Sequence, residues 1–218
     1  MSQNHPAGLA HAKKLIKENL ETKDTFLDLG NCGLRDLSEL PELWECQHLE
    51  GLNMGYCKVR KSLLLTIKAN NFKPNKIGDD GAILISNEIK NITHLNLENN
   101  DINLIGIKSI ASNLPELREL NLNYNILSSE SLSTIADNFP KIQSLHLKQI
   151  IDIEIVKNKE DINIFDELIS NILLKHSSLI VLDISYNNIN KLNYHDFDNF
   201  DNLKIIDLSN NPNISNSI

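Results

Sequence analysis

His94 and His146, with Cys32, Cys46 and Cys57, are the residues of this 218-residue chain most suited to metal or nucleophilic chemistry. Zinc takes imidazole and thiolate ligands in sets of three or four, at characteristic spacings. The two histidines have no third ligand at such a spacing. They fall on different outward positions of a repeating pattern, two units apart, so their Cα atoms are expected to be roughly 10 Å apart across parallel strands. A catalytic cysteine needs an activating base and an accessible thiolate. Cys32 and Cys57 are instead explained by a motif position that accepts Asn or Cys, and Cys46 by the segment between them. These residues imply no metal, no cofactor and no catalytic centre.

The pattern that holds them is L-x-x-L-x-L-x-x-N/C-x-L. Ile92, Leu95, Leu97, Asn100 and Ile102 fit it at every fixed position. Leu117, Leu120, Leu122, Asn125 and Leu127 fit it again, as do Leu179, Leu182, Ile184, Asn187 and Ile189. First motif residues stand at Asp24, Leu49, Ile67, Ile92, Leu117, Ile142, Leu179 and Leu203, with steps of 25, 18, 25, 25, 25, 37 and 24. The short step is the irregular one. A register from Ile67 puts Asn75 at the ninth position and Ile77 at the eleventh; a competing register puts Asn70 and Phe72 there. The first is preferred because Ile77 then opens a helical segment, IGDDGAILISNEI. The long step replaces the ninth-position Asn by Ile150. It then reads as extended around Ile151, Ile153 and Ile155, as a solvated loop over VKNKED, and as helix from Ile164 to Lys175. The twelve extra residues are expected to bulge from the stack near 150–165.

Each motif predicts a short strand whose fourth and sixth residues point inward and whose third, fifth and seventh point outward. A buried Asn at the ninth position can bond backbone groups that the turn leaves open. Asn75, Asn100, Asn125, Asn187 and Asn211 should stack as a ladder. Between strands the period becomes helical, as in Ile107, Ile110, Ala111 and Leu114. Pro115 and Pro140 follow these helices, where proline cannot continue them. Residues 6–21 form an amphipathic pattern through Leu9, Ala12, Leu15, Ile16 and Leu20. The domain reading is a helical cap over 1–23 and about eight repeats over 24–218. Together these predict an α/β solenoid, a curved parallel sheet inside and helices outside.

These residues resemble a leucine-rich repeat protein over nearly all of the chain after Glu21. NEIKNITHLNLENNDINLIGIKSIASNLPELRELNLNYN resembles the ribonuclease-inhibitor-like subclass. LIKENLETKDTFLDLGNCGLRDLSELPELWECQHLEGLNM resembles the opening repeats of bacterial Roco-type proteins, which often carry a GTPase or other effector domain after the repeats. This chain has no G-x-x-x-x-G-K-[ST], so a GTPase activity is not carried over. Similar repeats also occur in host-directed effectors of intracellular bacteria. The resemblance implies a protein-binding module, or the recognition part of a larger signalling or effector protein of the Roco GTPase or ubiquitin-ligase type.

Composition narrows the partner. Net charge is −8 with pI about 5.3, which disfavours nucleic acid and anionic membrane, since both are bound through Lys and Arg. No 18-residue apolar run and no signal-like segment is present. With three cysteines and no disulfide framework, a reducing compartment is expected: the cytoplasm, or a host cytosol for a delivered protein. The outward positions supply the candidate site: His94, Asn96, Glu98, Glu119, Asn121, Tyr124, His146, Lys148, Asp183 and Tyr186. The last strand, around Ile206 and Leu208, is expected either to continue into further sequence or to meet a partner, a second copy included.

Overall fold

A computed structural model describes residues 3–56, 73–151, 159–192, 201–211 and 214, with residues 159–165 described by backbone alone. Seven three-residue strands form one parallel sheet in chain order: β1 (Phe26–Asp28), β2 (Gly51–Asn53), β3 (His94–Asn96), β4 (Glu119–Asn121), β5 (Ser144–His146), β6 (Val181–Asp183) and β7 (Ile205–Asp207). Equal motif positions face each other throughout, from Leu27 beside Leu52 to Leu182 beside Ile206. The fold is therefore the expected parallel solenoid.

The helices are α1 (Pro6–Thr22), α2 (Gly78–Glu88), α3 (Leu104–Asn113), α4 (Ser129–Asn138) and α5 (Lys159–Lys175). Helices α2 to α5 pack in succession. After β1 the same side is filled by two 3-10 segments, Leu37–Glu39 and Pro41–Glu45. The fourth and sixth motif leucines, such as Leu95, Leu97, Leu120 and Leu122, are buried against helix residues such as Ile107, Ile110 and Ile135. Burying each such side chain contributes about 1.5–3 kcal/mol.

The Asn ladder forms and shows its rule. Asn125 Oδ1 accepts the backbone N–H of Asn100 (3.0 Å) and Ile102 (2.9 Å) from the preceding repeat. Its Nδ2 donates to the carbonyls of Leu97 (2.9 Å) and Leu122 (3.0 Å), the sixth positions of the two adjacent repeats. Asn187 and Asn211 repeat the carbonyl pattern.

That rule corrects the third motif. β2 pairs directly with β3, so the sheet holds no strand between them, and seven strands stand where eight motifs were read. Asn75 accepts from Leu34 N–H (2.8 Å) and donates to Leu29 O (2.9 Å) and Met54 O (2.8 Å). Those are the sixth positions of the first two repeats. Asn75 is therefore the ladder residue of the second repeat, and Ile77, buried, is its eleventh position. Residues 57–74 interrupt the second motif between its eighth and ninth positions. Cys57, Ile67, Asn70, Asn71 and Phe72 lie outside the described residues.

The fifth repeat is corrected too. Helix α5 begins at Lys159 and has 17 residues, against 10 in α4. Seven of the twelve extra residues thus lengthen the helix, and the last part of VKNKED is helical. Ile153 and Ile155 lie outside the described residues. At Ile150, where the ladder amide is missing, backbone replaces it. Asn125 N–H turns to Leu122 O (3.2 Å), and Leu127 N–H donates to Ile150 O (2.9 Å).

The two ends differ. At the first, α1 comes so close that a Cβ on Gly8 would stand 1.7 Å from the Cys32 carbonyl oxygen. Asn19, buried on α1, donates to Asp24 O and Phe26 O. At the other, Ile205 is 59% and Ile206 36% exposed, whereas the equivalents of Ile206 on β1 to β6 are at most 4% exposed.

Candidate functional site

Strand alternation and register place the candidate residues on one face. His94 lies beside Glu119 and then Ser144; Asn96 lies beside Asn121, His146 and Asp183. Glu98, Tyr124, Lys148 and Tyr186 occupy the turn just after these strands. The structure thus brings the ten residues onto four neighbouring strands, β3 to β6, and the turns that follow them.

They do not share one role. Asn96 Oδ1 accepts Glu98 N–H (2.9 Å), Asn121 Oδ1 accepts Asn123 N–H (3.0 Å), and Asp183 Oδ1 accepts Ser185 N–H (3.0 Å). Asp28, Asn53 and Asp207 do the same two residues on. The fifth position therefore ends each strand by an Asx turn. The signal was present in the sequence, since this position is Asn or Asp in every described strand but one.

The exception is His146. It has no carbonyl to offer, and its Nε2 lies 2.9 Å from Ser144 Oγ. Lys148 N–H is taken instead by Asn123 Oδ1 (2.7 Å) from the neighbouring repeat. Asn123, expected on the surface, is buried for this reason. His94 is exposed, with Nδ1 2.8 Å from Thr93 Oγ1. Glu98 accepts from Asn121 Nδ2 (3.2 Å).

The eighth motif position is left-handed in six of the seven repeats: Asn31, Asn99, Tyr124, Gln149, Tyr186 and Asn210 have φ between 49° and 61°. Asn tolerates this region; a bulky side chain there is an outlier. Tyr124 and Tyr186 nevertheless occupy it on either side of Lys148. The Lys148 ammonium lies 5.9 Å from the Tyr124 ring centre and 4.6 Å from that of Tyr186. Both distances are within cation–π reach. Desolvation against the rings opposes the charge on Lys148, but the attraction of Tyr124, Asp183 and Tyr186 outweighs it, so its pKa is raised. Asp207 is held below the usual carboxylate range, first by the Ser209 hydrogen bonds and to a lesser degree by Lys148.

Elsewhere the chemistry is quiet. Burial, and then the Asp28 charge, push the Cys32 thiol up to about 12, and burial raises Cys46 as well. Neither is a ready thiolate. Among the described residues no cluster of three potential metal ligands occurs, and no helix is long and apolar enough to cross a membrane.

Two family models match: a leucine rich repeat model over residues 164–212 and a second over residues 89–111. No curated protein matches the sequence. Among solved structures, the leucine-rich repeat-containing protein LegL7 from Legionella pneumophila is similar at 20% identity and a TM-score of 0.46, covering 97% of this chain and 72% of that one.

Proposed function

Because this chain is a leucine-rich repeat protein, we propose that it is a non-enzymatic binding module that takes a protein partner on the outward strand face from β3 to β6. The fold is a scaffold that leaves such a face open. The observation that carries the reading is the pair Tyr124 and Tyr186, kept at a backbone position that disfavours them. Strained positions of this kind cluster at functional sites, and tyrosine is enriched in interfaces. His94, Glu98, Glu119, His146 and Asp183 add polar groups from the same strands and turns. We take α1 as the cap of the first repeat and residues 24–218 as one repeat domain. The free buried cysteines suit a reducing compartment, the cytoplasm or a host cytosol.

The test is capture of a partner by the purified chain, followed by substitution. Tyr186→Ala and Glu119→Ala should each weaken binding by about 1 kcal/mol or more if they are anchors. Asn121→Ala is a poor probe, because it also removes a turn bond. Unchanged affinity in both good probes, with the fold intact, would move the site elsewhere. Among the described residues β7 is the last strand of the sheet and Ile205 and Ile206 are exposed on it, which supports a second contact, self-association, since a sheet edge can pair with another chain. A monomer in light scattering at high concentration would refute that contact.

A further inference from the structure

Lys148 is the one lysine or arginine at the third, fifth, seventh and eighth motif positions of the described strands; Asp28, Glu98, Glu119, Asp183 and Asp207 are the acids there. Its ammonium lies over the rings of both Tyr124 and Tyr186. A lysine held between two aromatic faces, with carboxylates of neighbouring strands close enough to favour its charge, is the arrangement by which proteins bind cations. Its backbone is tied in place as well: Lys148 N–H to Asn123, and Lys148 O to Tyr124 N–H at 2.8 Å. The long flexible stem can leave while the rings and the backbone stay.

We propose that Tyr124 and Tyr186 form a subsite for a lysine or arginine side chain of the protein partner, and that Lys148 occupies this subsite in the free protein. This rests on the strand-face reading above and adds the partner's chemistry: a basic segment, complementary to Glu98, Glu119, Asp183 and Asp207. On binding, the partner's cation replaces the Lys148 ammonium between the rings, and Lys148 swings to solvent.

Titration calorimetry with two short peptides, identical except that one carries arginines and the other glutamates, tests the assignment. The proteins are the full chain and its Lys148→Met, Tyr186→Ala and Tyr186→Phe variants, the last two also combined with Lys148→Met. Lys148→Met keeps the packing stem and empties the subsite. It should bind the arginine peptide about fivefold more tightly than the native chain. Adding Tyr186→Ala should abolish that gain; adding Tyr186→Phe, which keeps the ring, should retain it. Melting curves check that each variant is folded. Preference for the glutamate peptide, lost in Lys148→Met, would show that Lys148 itself grips an acidic partner; it would overturn the subsite while leaving the strand face as the binding surface. Equal affinity of the native chain and Lys148→Met for the arginine peptide, or no binding of it by Lys148→Met, would also overturn the subsite. The partner-capture experiment then decides the broader reading separately.

Discussion

From Leu49 to Ile92 the second repeat spans 43 residues, and from Ile142 to Leu179 the fifth spans 37, against 25 in the two regular repeats between them. The second places its excess in sequence between Tyr56 and Asn75, its eighth and ninth motif positions, and keeps its ladder amide. The fifth keeps its turn spacing, gives up the amide at Ile150, and places more than half of its excess in the helix. The stack therefore constrains a few contact layers: the inward strand residues, the ninth-position hydrogen bonds and the helix face. Chain between those layers is nearly free, because loop closure costs only about 0.6 kcal/mol per doubling of length.

The sharpest way to break this comparison is at Asn75. Asn75→Ala leaves Leu34 N–H and the Leu29 carbonyl without this buried partner, and takes one of two amide donors from the Met54 carbonyl, which Asn100 Nδ2 still serves at 2.9 Å. The expected loss is about 3 kcal/mol, summing modest penalties for several buried groups, read by chemical denaturation. Cys57→Ala should stay within about 0.5 kcal/mol. The opposite order would return the ninth position to Cys57.

In the fifth repeat the matching site is Asp166 on α5. Its carboxylate, buried, accepts Asn190 N–H and Lys191 N–H, both at 3.1 Å. Asp166→Ala should cost about 2 kcal/mol. Burial raises its pKa above the ordinary value. The native state then holds this proton more tightly than the unfolded chain, so its contribution falls as pH rises from about 4 through the native pKa. Asp207, whose pKa is lowered, has the opposite sign and loses its contribution as pH falls below about 4. Asp166→Asn should remove only the first trend; a pH profile of stability unchanged by it would contradict this assignment.

Ile150→Asn asks whether restoring the motif helps. Asn125 N–H and Leu127 N–H, which an amide there would cap, already have backbone partners. The gain is small, while a fully buried isoleucine is lost. The variant should be destabilised by about 1 kcal/mol, despite matching the other repeats better. A higher melting temperature would mean that the backbone substitutes are poor bonds.

Much of this was legible before the structure. Leu95, Leu120 and Leu182 aligned the strands, Asn100 and Asn125 declared the ladder, and Pro115 and Pro140 marked the helix ends. The second repeat was not legible, because Asn70-x-Phe72 and Asn75-x-Ile77 both imitate the end of a motif and an 18-residue step resembles a shortened repeat. Only the carbonyls reached by Asn75 decide it. The outward face was legible as a set of residues but not as a set of roles. Asn96 and Asn121 fill a solvated surface and end a strand equally well. The Tyr124–Lys148–Tyr186 stack joins residues up to 62 positions apart, across the irregular fifth repeat, and needs the register to be seen.

The smallest expected effect comes from the largest change. Excising residues 57–74 joins Tyr56 to Asn75 and leaves Leu49, Leu52, Met54, Asn75 and Ile77 at the intervals of an unbroken motif, 25 residues before the next. Every described contact of Asn75 is to residues outside the excised stretch, so the ladder can re-form. Shortening the chain between two fixed ladder contacts reduces closure entropy, and the fold should survive with a change of under about 1 kcal/mol. The melting temperature and the amide exchange of Leu34, whose N–H donates to Asn75, are the measurements. If residues 57–74 were a true repeat of the stack, their removal would strip a core layer and unfold the neighbouring strands, and Leu34 would exchange freely. If they are an insertion, Leu34 stays protected and the shortened chain melts as one unit.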